Sequence, residues 1–167
     1  WWYWLLGPYL LGFNTRDAVT LDGRGHLVIT CARKETRDAL GRTKVDYTSA
    51  LLSTQGKFET TYGYFEARLK VQKEQGFWTA FWLNTPSMGN PARDPARAGV
   101  EIDIMEYIAS AQYANKAMHT IHWDAKSTTD HKRDHKLQEI PGLGQGWHTY
   151  ACEWTPEALT FYIDAKE

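Results

Sequence analysis

The chain has 167 residues, a formal net charge of -1 from 19 Lys+Arg against 20 Asp+Glu, and 43% hydrophobic residues. This length suits a single domain over residues 1–167 that buries a continuous core. The near-zero charge gives no reason to expect a nucleic-acid partner. The 8 Trp, 9 Tyr and 6 Phe exclude a disordered chain.

The most apolar stretch, at the N-terminus, is broken by Gly7 and Pro8 and has no basic segment or cleavage site, so we read it as neither a signal peptide nor an anchor. No apolar run approaches the ~20 residues that a membrane span needs. We therefore expect no membrane partner.

Apolar residues recur at every second position along most of the chain, which is the pattern of half-buried strands. No segment carries the i, i+3, i+4, i+7 apolar stripe of a surface helix. Short strands separated by Gly, Pro and Asp turns predict an all-β fold, an antiparallel two-sheet β-sandwich or jelly roll. The predicted strands are 26–31, 45–52, 65–71, 77–83, 100–108, 117–123, 148–154 and 159–163.

Two long polar segments, 84–99 and 123–136, interrupt the predicted strands. Loops of this length in a compact β domain are often functional, although plain mobile surface gives the same pattern. The last strand, 159–163, runs into a hairpin turn whose second strand is missing, which would leave its backbone groups unpaired. We therefore expect a truncated domain, incomplete at both ends.

The two cysteines, Cys31 and Cys152, each lie in a segment of period two. Two cysteines do not make a disulfide scaffold. They fit two buried core thiols, and a single Cys31–Cys152 bridge remains the alternative.

Three acids, Glu101, Asp103 and Glu106, fall within six residues of an otherwise apolar strand. In a regular strand Glu101 and Asp103 share one face, whereas Glu106 would point with the isoleucines into the core. One extra residue near 104–105, a β-bulge, returns Glu106 to the face of the other two acids. Because burying an unpaired carboxylate is costly, we predict the bulge.

Such a bulged strand suits acid–base chemistry. With the bulge counted as one position, the α-carbons of Glu101 and Glu106 lie about four strand steps apart, roughly 13 Å. Side chains leaning together can then approach the ~5–5.5 Å carboxyl separation of retaining glycosidases. Asp103 adds like charge between them, which favours one protonated and one ionised acid. A solvated acidic face or a cation site fits the same residues.

Trp78 and Trp82 alternate with Phe77 and Phe81, so the two tryptophans share the face opposite the phenylalanines. A core strand needs only one apolar face. The second aromatic face therefore suggests platforms for sugar rings, although core packing gives the same pattern when this segment is taken alone.

Five stretches together resemble glycoside hydrolase family 16, which includes laminarinases, licheninases, agarases and carrageenases. They are GFWTAFWL (76–83), EIDIME (101–106), YGYFEARLK (62–70), IHWD (121–124) and WHTYACEWTPEALTFYIDAKE (147–167). The acid motif is similar to the bulged form E-x-D-x-x-E. The resemblance implies a concanavalin A-like β-jelly roll with a concave cleft. By position it also implies that Glu101 is the nucleophile, Asp103 its helper, and Glu106 the general acid/base.

The resemblance further implies that Trp78 and Trp82 are cleft aromatics and that His122 faces the acid/base. From the residues alone, His122 is either a cleft hydrogen-bonder near Glu106 or an ordinary hydrogen-bonded histidine. Asn14 either contacts sugar or braces the sheet. His119 and His122, three positions apart on a strand, point to opposite faces and so cannot easily chelate one ion. We predict no metal among the site residues; the family often holds a structural calcium, whose ligands no acid cluster here identifies.

We therefore expect a retaining endo-glycosidase, requiring no cofactor, that cleaves internal bonds of a polysaccharide by double displacement. A β-1,3- or β-1,3/1,4-glucan is the favoured substrate, and a galactan such as agarose or carrageenan is the second. Transglycosylation is equally compatible with the acids. A non-catalytic, lectin-like sandwich and an inert structural sandwich are the alternatives. We expect a monomer that is secreted, periplasmic or at the cell surface.

Overall fold

Most segments of period two form strands in the computed structural model, which describes residues 12–37, 39–88, 90–91, 93–124 and 131–167. Among the described residues, the regular secondary structure consists of twelve strands, one short α-helix and one 3-10 turn, so the all-β prediction is confirmed. The backbone groups into two compact units, Trp1–Glu59 and Thr60–Glu167. Whether residues 1–167 act as a single domain stays a prediction.

The first unit contains two small sheets. In one, strand β5 lies between β1, to which it is parallel, and β4, to which it is antiparallel; the other is the β2–β3 hairpin. The carboxylate of Asp22 accepts the backbone N–H groups of Arg24 and His26, which fixes the hairpin turn. The strands are β1 (Gly12–Asn14), β2 (Val19–Leu21), β3 (Leu27–Ile29), β4 (Ala32–Arg37) and β5 (Thr43–Ser49), with a 3-10 turn at Arg16–Ala18.

The second unit contains two antiparallel sheets. One has the strand order β10-β9-β8-β7, and the other the order β12-β11-β6. The strands are β6 (Gly63–Leu69), β7 (Trp78–Leu83), β8 (Glu101–Ile108), β9 (Lys116–Trp123), β10 (Lys132–Glu139), β11 (His148–Trp154) and β12 (Leu159–Ile163). A single helical turn, α1 (Pro95–Ala98), precedes β8.

The hydrophobic core of the second unit lies between its two sheets. Strand β8 contributes Ile104 and Met105, both fully buried, and β11 contributes Tyr150 and Cys152 from the facing sheet. Burying one such aliphatic side chain contributes roughly 1.5–3 kcal/mol. The core therefore anchors one face of β8 and leaves its other face available for polar groups. The predicted antiparallel two-sheet sandwich is confirmed in this unit.

Strand β10 contradicts the prediction of a loop over 123–136. Residues 132–139 form the edge strand of the four-stranded sheet, paired along their length with β9. This strand is exposed and mostly charged or polar, so it lacks the apolar alternation that identifies a strand, and charged edges are a common protection against further pairing. Residues 125–130 of the expected loop lie outside the described residues. The described residues of segment 84–99 form a loop apart from α1, as predicted.

The two cysteines are free thiols. Cys152 is buried as expected, whereas Cys31 is exposed, so the prediction of two buried thiols is wrong for Cys31. Cys31 lies between β3 and β4, and the side chains of β3 are themselves exposed, so this segment has no buried face to receive the thiol. The structure holds neither thiol in a bridge.

No helix among the described residues has the length and apolarity that crossing a membrane requires. The apolar N-terminal stretch, residues 1–11, lies outside the described residues.

Candidate active site

A β-bulge in β8 brings the three predicted acids to one face of the sheet. Asp103 pairs with Thr120 and Glu106 with Met118, so three steps along β8 oppose two steps along β9. The additional position is accommodated at 104–105, where both side chains turn into the core. The predicted bulge is confirmed.

Glu106 is a buried carboxylate with two hydrogen-bond donors. The indole Nε1 of Trp78 donates to its Oε1 at 2.9 Å, and the hydroxyl of Thr120 donates to its Oε2 at 3.0 Å. Burial raises the pKa of Glu106 above its ordinary value, and the charge of Glu101 raises it further. The two hydrogen bonds and the charge of Arg133 oppose this rise without cancelling it. The site therefore keeps Glu106 protonated to higher pH than an exposed glutamate.

Glu101 lies two strand positions before Asp103 and is only half-buried. The amide Nδ2 of Asn84 donates to its Oε2 at 3.3 Å. The other end of that amide, Oδ1 of Asn84, accepts the backbone N–H of Thr85 at 2.8 Å. Because this second contact fixes which end of the amide faces Glu101, Asn84 orients the carboxylate as a donor.

Asp103 is buried between the two glutamates and faces a histidine from β9. Nε2 of His122 lies 3.1 Å from Oδ2 of Asp103. The ring of His131 stacks on the ring of His122, with centroids 4.9 Å apart. The sequence predicts that His122 faces Glu106, whereas in the structure its Nε2 contacts Asp103. The reason is the register, since His122 is paired with Glu101 across the strands and so lies beyond Thr120 from Glu106.

The two tryptophans lie on the acid-bearing face of the sheet. Trp82 is paired with Asp103 and is half-buried, whereas Trp78 is 54% exposed and donates to Glu106. Ala80, between them on the same face, is exposed and is paired with Glu106 across the strands. Sugar stacking on these rings stays a prediction.

Asn14, the fourth predicted binding residue, is the last residue of β1 in the first unit. Its contact with substrate stays a prediction.

Glu101, Asp103 and His122 each offer one ligand atom, and these atoms lie within 4.8 Å of one another. Among the described residues, these three have the geometry to hold a cation. His119 does not join it, because its Nδ1 faces the core-side carbonyl of Ile104 at 2.6 Å. The prediction that His119 and His122 point to opposite faces is confirmed.

Sequence reasoning missed three residues around the acids: Thr120, Asn84 and Arg133. Thr120 lies two positions before His122 and therefore shares its face, so the alternation of β9 was sufficient to find it. Asn84 is the first residue after β7, and no local pattern identifies it. Arg133 is paired with His122 across the strands, but it lies in the strand that the sequence did not predict.

The family model described as "Glycosyl hydrolases family 16" matches residues 13–167 of the chain. Among curated proteins, the chain is 33% identical over 141 residues to an endo-1,3-1,4-beta-glycanase of Rhizobium meliloti, covering 84% of this chain and 27% of that protein. It is 34% identical over 143 residues to a beta-glucanase of Rhodothermus marinus, covering 85% of this chain and 46% of that protein. The chain thus spans less than half the length of these two relatives.

Solved structures show the same fold. The laminarinase catalytic domain from Thermotoga maritima matches with a TM-score of 0.72 and 28% sequence identity, covering 94% of this chain and 60% of that domain. The laminarinase from Rhodothermus marinus matches with a TM-score of 0.68 and 28% identity, covering 93% of this chain and 59% of that structure.

Proposed function

Because the chain belongs to glycosyl hydrolase family 16, we propose that it carries the reacting acids of a retaining endo-glycosidase. The substrate is a polysaccharide, and the names of the relatives favour a β-1,3- or β-1,3/1,4-glucan. The observation that supports this function best is the unequal environment of two acids on one strand. Glu106 is buried and has a raised pKa, whereas Glu101 is half-exposed beside an amide donor.

In the first step, Glu106 acts as the general acid. Its raised pKa keeps a proton available, and it transfers that proton to the oxygen of the glycosidic bond as the bond to the anomeric carbon breaks. The carboxylate of Glu101 attacks the same carbon and forms a covalent glycosyl ester. The amide of Asn84 holds Glu101 in one orientation for this attack.

In the second step, Glu106 acts as the general base. Having lost its proton, it is stabilised as a carboxylate by the donors of Trp78 and Thr120. It takes a proton from a water molecule, whose oxygen attacks the anomeric carbon and displaces Glu101. A sugar hydroxyl in place of water would give transglycosylation by the same route.

Asp103 assists by charge and position. It is buried next to Glu101 and its side chain contacts His122, so an ionised Asp103 would place negative charge close to the carbon that becomes positive in the transition state. A polysaccharide substrate also supports the proposal that the protein acts outside the cell or in the periplasm.

The decisive experiment measures reducing-sugar release from laminarin, lichenan, agarose and carrageenan, and follows the anomeric configuration of early products by NMR. We expect release from the glucans with retained configuration. Glu106→Gln should lower kcat by about 10²–10⁴-fold, and Glu101→Gln should abolish turnover. Glu157→Gln, an exposed turn residue, is the matched control and should leave activity unchanged.

Three outcomes would contradict the proposal. Early products of inverted configuration would exclude a glycosyl ester on Glu101. Full activity in both glutamine variants would exclude the named acids. Saturable binding of a polysaccharide without any turnover would instead favour the lectin-like alternative.

A further inference from the structure

Ile104 is the residue that the bulge leaves without a register partner. It is paired with no residue of β7 or β9, and its side chain is fully buried in the core. A bulge interrupts the regular ladder and leaves backbone groups that need another partner. In this strand the carbonyl oxygen of Ile104 lies 2.6 Å from Nδ1 of His119. A carbonyl only accepts hydrogen bonds, so Nδ1 of His119 carries the proton.

The imidazole of His119 is held from several strands. Its Nε2 lies 3.3 Å from Oε1 of Gln138 on β10. With the proton on Nδ1, Nε2 of the neutral ring is an acceptor, so a hydrogen bond here requires the Gln138 amide to be turned over, with its NH2 in the place of Oε1. The ring also packs on Phe161 of the opposite sheet, with centroids 4.9 Å apart. Burial lowers the pKa of His119, which keeps the ring neutral in this arrangement.

His119 and its neighbour Thr120 hold β8 from its two faces. Successive strand residues point to opposite sides, so His119 contacts the bulge from the core side while Thr120 donates to Glu106 on the acid-bearing side. The bulge of β8 lies between Asp103 and Glu106, and it determines the face of the sheet on which the Glu106 side chain lies. A displacement of Ile104 along the strand would therefore carry Glu106 away from its donors.

We propose that His119 is a positioning residue, which fixes the bulge of β8 through the Ile104 carbonyl and thereby aims Glu106. The catalytic consequence rests on the function proposed above. The geometric consequence does not, because the hydrogen bond between Trp78 and Glu106 forms whether or not the protein turns over a sugar.

The test compares three variants of the protein. His119→Leu places an apolar side chain of related size at this position and removes the Nδ1 donor to Ile104. His119→Asn keeps an amide N–H close to the place of Nδ1. Phe161→Leu is the matched control, since it trims the packing on the ring and leaves the bond to Ile104 intact.

Two readouts separate positioning from general stability. The first is the NMR signal of the Trp78 indole Nε1–H and its titration with pH, which reports the bond to Glu106 without any turnover. The second is kcat and KM on laminarin. Thermal unfolding of each variant shows how much stability has been lost.

We expect His119→Leu to shift the indole signal toward that of a solvent-exposed tryptophan, and to lower kcat at least tenfold with KM changed less than twofold. His119→Asn should restore most of the wild-type indole signal and most of the wild-type kcat. Phe161→Leu should lower the melting temperature while leaving the indole titration and kcat close to wild type.

An unchanged indole titration in His119→Leu would overturn the proposal, as would equal effects of His119→Leu and Phe161→Leu on kcat. If His119→Leu fails to fold, His119→Phe replaces it, because it keeps a ring against Phe161 but also removes the donor to Ile104, and an unmoved indole signal there overturns the proposal in the same way. A wild-type protein that releases no sugar would refute the proposed function instead, since the indole readout remains.

Discussion

Replacing Thr120 by valine tests how the site sets the protonation of Glu106. Thr120 is 2% exposed, and its hydroxyl donates to Oε2 of Glu106 at 3.0 Å. Valine has nearly the same shape, so the change removes the donor with little change in packing. The hydroxyl stabilises the carboxylate form, because a carboxylate only accepts hydrogen bonds.

The expected magnitude follows from burial. A hydrogen bond to a charged group contributes about 1.5–3 kcal/mol, and water has little access to this one. Its loss should destabilise ionised Glu106 by about that amount while the protonated form changes little. The pKa of Glu106, already raised by burial, should therefore rise further in Thr120→Val.

The assay is the pH profile of kcat on laminarin. The proposed first step requires protonated Glu106, so the alkaline limb should move to higher pH in Thr120→Val. At acid pH the second step should slow, because it requires ionised Glu106. An alkaline limb that stays in place or moves to lower pH would refute this account of the site.

Unfolding provides an independent check with a definite sign. Because its folded pKa lies above the ordinary value of 4.5, Glu106 binds its proton more tightly in the folded than in the unfolded chain. The free energy of unfolding should therefore fall as pH rises from 4.5 through the folded pKa of Glu106. Below 4.5 this contribution is constant. Thr120→Val should enlarge the fall, and Glu106→Gln should remove it, as urea titrations at several pH values would show.

Two further predictions concern the backbone before β8 and the thiols. Gly99 has φ +72, and an added Cβ would lie 2.6 Å from the Thr85 side chain, whereas Gly76 has φ +98 and open space. Both alanine variants should lose about 1–2 kcal/mol to the left-handed backbone, and Gly99→Ala about 1–3 kcal/mol more from overpacking; equal losses in urea melts would contradict the clash. Cys31 is exposed, whereas burial raises the pKa of the Cys152 thiol to about 11, so a disulfide reagent at pH 8 should label one thiol per folded chain and two after denaturation. Rapid labelling of both thiols in the folded chain would contradict the burial of Cys152.

The fold class and the position of the acids were predictable from local sequence. Strand β12 has the predicted bounds, because Leu159, Phe161 and Ile163 alternate along it and pack in or against the core. The bulge was also predictable, since a regular strand would have placed Glu106 in the core, where an unpaired carboxylate is too costly. Strand β10 was not predictable in this way, because its stability comes from pairing with β9 rather than from an apolar face.

The sequence by itself determined that β8 carries three acids and that its other face is apolar, because side-chain alternation is a property of a single strand. Only the tertiary structure decided which groups contact those acids. Thr120 and Trp78 contact Glu106 from two different strands, and the side chain of His122 contacts Asp103. These contacts depend on the register between strands, which is fixed by long-range pairing and core packing rather than by any local pattern.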